Sequence, residues 1–428
     1  MKKGLLISPN TETCPTIFPI GLGYIRAGLL KNGFEVGILD FAHLPLQEEV
    51  LLSYLCEHNP EYIGISIRNL DNCCYMHPRS FIEPVKELVG WIKAWNPTVP
   101  VILGGSGFSL LPEVWLRITK ADYGIHGDGI ESFPRLLNCI QNKKVPDNVP
   151  GVIYARNSSW IRCDAEQTER LNKLPFPSRD GFLHFLKDNQ NVRHNIQTKR
   201  GCSFKCSYCA YPILEGKKLR LRSPSNVVDE ICELLERYHI NEFDFVDNVF
   251  NNPSEHAVEI CHELISRKVK VSWGCFLNPI SCTENFLRIL MKAGCKHVEF
   301  GIDSGSSKIL RNMRKNFDID DICMAVNNCK TVNISYSCCL LFGSPGEDMD
   351  TVRETLQLME SLDVEQVFGL IGVRILPNTE IHQKYAKNLS EAQLLEPQFY
   401  ISEGIQPKQV LAEFNISYSQ RHPGWMII

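Results

Sequence analysis

Short apolar runs alternate with amphipathic helical stretches in two blocks along this chain, and that alternation constrains the fold more than any other feature. In the first block, Gly4–Ser8, Phe34–Leu39, Tyr62–Ile67, Val99–Leu103 and Tyr123–His126 read as strands. Between and after them, Gly21–Asn32, Gln47–His58, Phe81–Ala94, Pro112–Ile118 and Ile130–Gln141 read as helices. Strands of four to six mostly apolar residues separated by helices predict a parallel sheet covered on both faces, a Rossmann-like doubly wound domain. The alternation stops over 142–190, which carries Pro146, Pro150, Pro175 and Pro177, and a small hairpin is expected at Gly151–Cys163. It restarts near Val192, with strands expected at 192–198, 242–247, 270–276, 297–302, 334–341 and 366–373 and helices at 224–239, 254–268, 283–294, 318–329 and 349–362. Six strands joined by right-handed helical crossovers predict a partial (β/α)6 TIM-type barrel with its chemistry at the carboxyl ends of the strands. The expected α/β chain therefore has a domain at 1–145, a linker at 146–190, a barrel at 191–385 and an extension at 386–428. Its 428 residues suit two cores better than one.

The sharpest local signal follows the first barrel strand: Gln197-Thr-Lys-Arg-Gly-Cys202-Ser-Phe-Lys-Cys206-Ser-Tyr-Cys209. Three thiolates within eight residues can hold three irons of a cubane and leave the fourth open to chelate a small molecule, whereas an electron-transfer cluster takes four cysteines. The competing reading is structural zinc, which needs a fourth ligand from His194 or Cys275. Most of the 18 cysteines are expected to be packing residues, as at Cys338-Cys339. With no apolar run of membrane-spanning length and an N-terminus unlike a signal peptide, the chain is expected to be cytoplasmic, where disulfides are rare. A net charge of −4 and a pI of about 6.3 give no broad basic field, so no nucleic acid is expected as a partner.

The pattern C-x3-C-x2-C, with an aromatic residue just before the third cysteine, resembles the radical S-adenosylmethionine (SAM) family. By that resemblance Cys202, Cys206 and Cys209 hold a [4Fe-4S] cluster and Tyr208 lies near the adenine of SAM. Four strand ends extend the likeness. Asp247-Asn248 closes the second barrel strand. Gly301-Ile-Asp303-Ser304 closes the fourth and is similar to the family's ribose-binding G-x-E-S, with Asp one methylene shorter than Glu. Gly343-Ser-Pro-Gly346-Glu347 closes the fifth, and Arg374 lies at the end of the sixth, where it is a candidate partner for a carboxylate or phosphate. Asp247, Asp303, Ser304 and Arg374 are thereby candidate cofactor contacts, against the plainer readings of turn closure, helix cap or ion pair.

A second resemblance lies in the first block. Ser8, Gly21, Ser66, Gly104-Gly105-Ser106, Gly127 and Gly129 follow strands or open helices as in the cobalamin-binding domain found ahead of many such barrels. Glycines there let backbone amides approach a flat macrocycle. The cobalt-ligating D-x-H-x-x-G is absent, since Asp40-Phe-Ala-His43 has the wrong spacing. The two likenesses together imply a cobalamin-dependent radical enzyme, most often a C-methyltransferase acting on an unactivated carbon. They also imply a flavodoxin- or ferredoxin-type electron donor and leave a small molecule, lipid or peptide as substrate. Alternatives are a non-methylating radical rearrangement or cyclisation and an iron–sulfur or cobalamin sensor module. A methylthiotransferase acting on tRNA or protein would recruit a second cluster from Cys14, Cys56 and Cys73 or Cys74.

Overall fold

The computed structural model describes residues 3–12, 16–182, 184–185 and 192–428. Cys14 and the end of the expected linker, 186–190, lie outside the described residues. The chain divides into two compact units. The first comprises 1–72, 80–193 and 390–396, and the second 73–79, 194–389 and 397–428.

In the first unit the five expected strands form at Lys3–Ser8, Glu35–Asp40, Tyr62–Ser66, Val101–Gly104 and Tyr123–Ile125, all parallel. Their spatial order, second-first-third-fourth-fifth, is that of flavodoxin-like doubly wound sheets. The order reverses between Lys3–Ser8 and Tyr62–Ser66, so a ligand crevice is expected at the carboxyl ends of those two strands, where Ser8 and Ser66 lie. The sheet does not stop at residue 145. Val152–Arg156 and Ser159–Arg162 form the expected hairpin, but it adds antiparallel to Tyr123–Ile125. Val152, Ile153 and Tyr154 are buried there on both faces of the sheet, so a segment read as linker extends the domain core.

The second unit is a seven-stranded sheet in sequential order: Asn195–Ile196, Glu242–Phe245, Ser272–Leu277, Cys295–Asp303, Ser335–Phe342, Val367–Ile371 and Trp425–Ile427. Every neighbouring pair is parallel, the pattern of a barrel that curls without closing. The helices form where the periodicity places them, as Pro224–Tyr238, Ser254–Ser266, Glu284–Lys292, Ile319–Val332 and Met349–Ser361. Their starts are written locally. Ser223 and Thr283 cap by accepting Asn226 and Phe286 N–H, and Asp318 and Asp348 form reciprocal capping boxes. The seventh strand comes from the expected C-terminal extension, with Trp425 buried and its indole N–H donating to Val364 O at 2.7 Å.

Alternation along these strands separates two faces. Trp273, Cys275, Leu277, Val298, Phe300, Ile302, Cys338, Leu340 and Phe342 are buried. The intervening residues, including Phe276, Glu299, Gly301, Ser337, Cys339 and Leu341, are partly open. On this inner face Glu299 accepts from the Cys339 thiol at 2.9 Å, and His297 bonds Ser335 and Ser337 at 2.9 and 3.0 Å. Of the Cys338-Cys339 pair, only Cys338 is core. Complete TIM barrels fill this face with branched side chains, and here Glu299, His297, Ser335 and Ser337 place polar groups among apolar ones such as Phe276 and Leu341.

Candidate iron–sulfur and nucleoside site

The cysteine loop is held by the protein's own contacts. Lys199–Arg200 pairs antiparallel with Arg220–Leu221, and Cys202 N–H donates to Gly216 O at 3.0 Å. Gly201 has φ +96°, and a Cβ there would stand 2.1 Å from Lys218 O, so only glycine admits the turn. Glu215 braces the loop by accepting from Gly201 N–H at 3.1 Å and Asn248 Nδ2 at 3.2 Å. Ser207 is held on both sides: its N–H donates to Met313 O and its carbonyl accepts from Ile381 N–H, both at 3.0 Å.

Cys202 is buried, and Cys206 and Cys209 are partly so. Burial pushes all three thiols up, Cys209 to about 12; Cys202 raises Cys206 further, and both raise Cys209. Such a set gives up its protons only to a strong cation, as metal ligands do. Among the described residues no three His, Cys, Asp or Glu side chains gather at single-ion distance. A zinc site needs that gathering, whereas a cubane spreads its sulfur ligands over separate corners. Cys275, one candidate fourth zinc ligand, instead lies on the buried face of its strand, its thiol pushed up by burial and by a hydrogen bond to Cys295.

The Tyr208 hydroxyl donates to Asp303 Oδ2 at 2.8 Å. The register slips between Gly301 and Asp303, and Asp303 takes φ +65°, so a bulge turns its carboxylate aside at the strand end. Lys315, which the sequence did not single out, donates to Asp303 Oδ2 at 2.8 Å and Gly301 O at 2.9 Å. Burial alone would lower the Lys315 ammonium, but Asp303 and the nearby thiols outweigh it and raise its pKa, so it stays charged. Beside this trio Gly301 is open, with nothing within 4 Å of a built Cβ, which leaves room for a ligand against the strand.

The other barrel candidates are engaged within the protein. Asp247 accepts Thr198 N–H at 2.8 Å, Thr198 Oγ1 at 2.6 Å and Lys199 N–H at 3.1 Å, tying the second strand to the start of the cysteine loop. Ser304 bonds Thr355 Oγ1 at 3.1 Å and is fully buried. Arg374 donates to the carbonyls of Ile375 and, at 3.2 Å, Gln398. Glu347 Oε2 accepts Gly343 and Ser344 N–H at 2.6 and 2.8 Å, while burial pushes its carboxyl up to about 7.

In the first unit the candidates offer backbone rather than charge. Gly21, Ser106 and Gly127 are exposed, while Ser66, Gly104, Gly105 and Gly129 are partly open and Ser8 is buried. A built Cβ at Gly21 meets nothing within 4 Å, and at Gly104 only Ile125 O at 3.5 Å, so the space above these two is unused by the protein itself. At Gly105, φ +100°, a Cβ would come within 2.4 Å of Ile67 O. Gly129 packs on Ile25, and Gly127 N–H donates to Ser109 Oγ at 3.1 Å. Asp40 lies 3.4 Å from His184 Nε2, and its Oδ1 accepts Ala42 N–H.

This is a two-sheet α/β protein with a three-thiol loop at one sheet's carboxyl end and an open glycine edge on the other. Residues 196–359 match the Radical SAM superfamily and residues 12–137 match the B12 binding domain. The chain thus carries a radical SAM domain preceded by a B12-binding domain. It is 24% identical to tryptophan 2-C-methyltransferase of Streptomyces laurentii, over 91% of this chain and 75% of that one. It is also 24% identical to cytidylyl-2-hydroxyethylphosphonate methyltransferase of Streptomyces wedmorensis, over 73% and 67%. The fold superposes on the radical SAM methyltransferase TsrM of Kitasatospora setae, solved with cobalamin and a [4Fe-4S] cluster bound. The TM-score is 0.88 at 23% identity, covering 100% of this chain and 93% of that one. For a second cluster of the methylthiotransferase kind, Cys56 is exposed on the helix Glu48–His58, and Cys73 and Cys74 fall in the other unit. No described helix is long and apolar enough to cross a membrane.

Proposed function

We propose that this protein is a cobalamin-dependent radical SAM C-methyltransferase that places a methyl group on an unactivated carbon of a small molecule. The observation that carries the reading is the linkage of Tyr208, within the cysteine loop, to Asp303 at the end of the fourth barrel strand, beside the open Gly301. When bound, the cluster, SAM and cobalamin supply the reducing electron, the radical that takes hydrogen from carbon, and the methyl that replaces it. The chain's own residues do the placing. Cys202, Cys206 and Cys209 hold three irons and leave the fourth for the amino and carboxylate groups of SAM. Asp303 keeps an acceptor at hydrogen-bond reach of the ribose, and Tyr208 stands at the adenine. Asp247 and Glu215 act from behind by fixing the loop. In the first unit the glycine edge at Gly21 and Gly104, with Ser8, Ser66, Gly105, Ser106, Gly127 and Gly129 around it, holds the macrocycle by shape and backbone amides. The mixed inner face, with the polar Glu299 and His297 beside the apolar Phe276, suits a substrate bearing both hydrogen-bonding and apolar groups, in keeping with the amino-acid substrate named for the Streptomyces laurentii relative. A flavodoxin- or ferredoxin-type donor in the cytoplasm provides the electron.

The test is anaerobic purification with hydroxocobalamin, reconstitution, and incubation with SAM, a strong reductant and tryptophan as the first candidate substrate. S-adenosylhomocysteine and 5′-deoxyadenosine are the expected products. Formation of neither, from protein holding both cofactors, overturns the assignment.

A further inference from the structure

Lys315 is a lysine in an unusual setting. It lies in Met313-Arg-Lys-Asn-Phe317, whose ends, Met313 and Phe317, are buried. Its own side chain is only 7% exposed. The segment is sewn to the cysteine loop by Ser207 N–H donating to Met313 O at 3.0 Å. That bond fixes the ammonium 5.9 Å from the centroid of the Tyr208 ring, between the second and third cysteines, and 5.2 Å from that of Phe317. Its two hydrogen bonds go to Asp303 and to Gly301 O, beside the open inner face.

We infer that Lys315 is a positioning residue with two tasks: it fixes the Asp303 carboxylate for the ribose and, as a buried cation beside the three thiolates, it raises the reduction potential of the cluster. The inference rests on the cluster reading above. The physical reason is charge balance. A cubane held by thiolates gains a further negative charge on reduction, and a nearby cation shielded from water favours the reduced form. Asp303 offsets part of that charge, so the two residues pull the potential in opposite directions.

The experiment is an EPR-monitored redox titration of the reconstituted full-length protein, with iron content and SAM affinity measured on the same samples. Lys315→Met removes the cation at similar length. At the wild-type midpoint its reduced-to-oxidised ratio is expected to fall about tenfold, a shift of ~59 mV for one electron. Lys315→Arg is expected to stay near wild type. Asp303→Asn, which keeps Lys315 but removes the opposing anion, is expected to move the midpoint upward. Opposite shifts at full iron content are not what general damage to the loop produces. SAM binding should weaken about tenfold in both Lys315→Met and Asp303→Asn and hold in Lys315→Arg. An unchanged midpoint in Lys315→Met, or shifts of the same sign in Lys315→Met and Asp303→Asn, overturns the inference and leaves the proposed function standing. If Lys315→Met fails to load iron, the sign of the Asp303→Asn shift decides. Wild-type protein that assembles no cluster overturns both.

Discussion

The two parallel sheets are alike in architecture and unlike at their carboxyl edges. The barrel edge brings together ionised and phenolic side chains that hold one another: Tyr208, Asp303 and Lys315, with Asp247 and Glu215 behind. The edge of the first sheet brings together small residues, with Gly21, Ser106 and Gly127 exposed. A small polar ligand such as a nucleoside sulfonium is recognised by groups of matched charge at fixed distances, so its site must be rigid and its side chains paired beforehand. A broad macrocycle is recognised over area, and side chains there would only stand in the way. On the proposed function, one protein solves two recognition problems on the same kind of scaffold, one with side chains and one by leaving them out.

The contrast breaks most sharply at the cysteines. Cys206→Ala is expected to take iron from about four atoms per chain to near zero and to abolish cluster absorbance, while cobalamin stays bound. Loss of cobalamin as well would mean that the two edges are not independent. Next, Asp303→Ala removes a charged hydrogen-bonding group, and SAM affinity measured by equilibrium dialysis should weaken about 10- to 100-fold. Gly105→Ala sets a Cβ at 2.4 Å from Ile67 O with φ +100° and should cost roughly 1–3 kcal/mol in denaturant titration. At Gly104 the protein itself leaves room, so Gly104→Leu should spare the melting temperature yet weaken cobalamin retention about tenfold, the converse of Gly105→Ala. The last is a pH signature. Glu347 binds its proton more tightly folded, up to about 7, than its ordinary 4.5. The folded state then holds more protons than the unfolded one between those values, so stability falls as pH rises through that window, by roughly 3 kcal/mol at most. Glu347→Gln should flatten that component.

The sequence made the strands and helices of both blocks legible because hydrophobic period is a local property, and Cys202, Cys206 and Cys209 because their spacing alone implies one loop. What it hid was the partnering. Lys315 reads as one more cation after Arg311 and Arg314, and only the burial of Met313 and Phe317 on either side hints that it points inward. Asp247, a candidate cofactor contact, closes on Thr198 and Lys199, residues that are 49 and 48 positions away and meet it only through parallel pairing of the first two barrel strands. The hairpin at Val152–Arg162 was visible, but not that it would add to the first sheet, since an edge strand's acceptor is set by tertiary packing.

The exchange of segments between the two units has a practical bearing. Residues 73–79 count with the barrel, where Tyr75 stacks edge-on against Phe399 at 5.5 Å, and residues 390–396 count with the first unit. A protease nick near residue 193 would therefore not release two finished halves. Each fragment would carry away a strip that counts with the other unit.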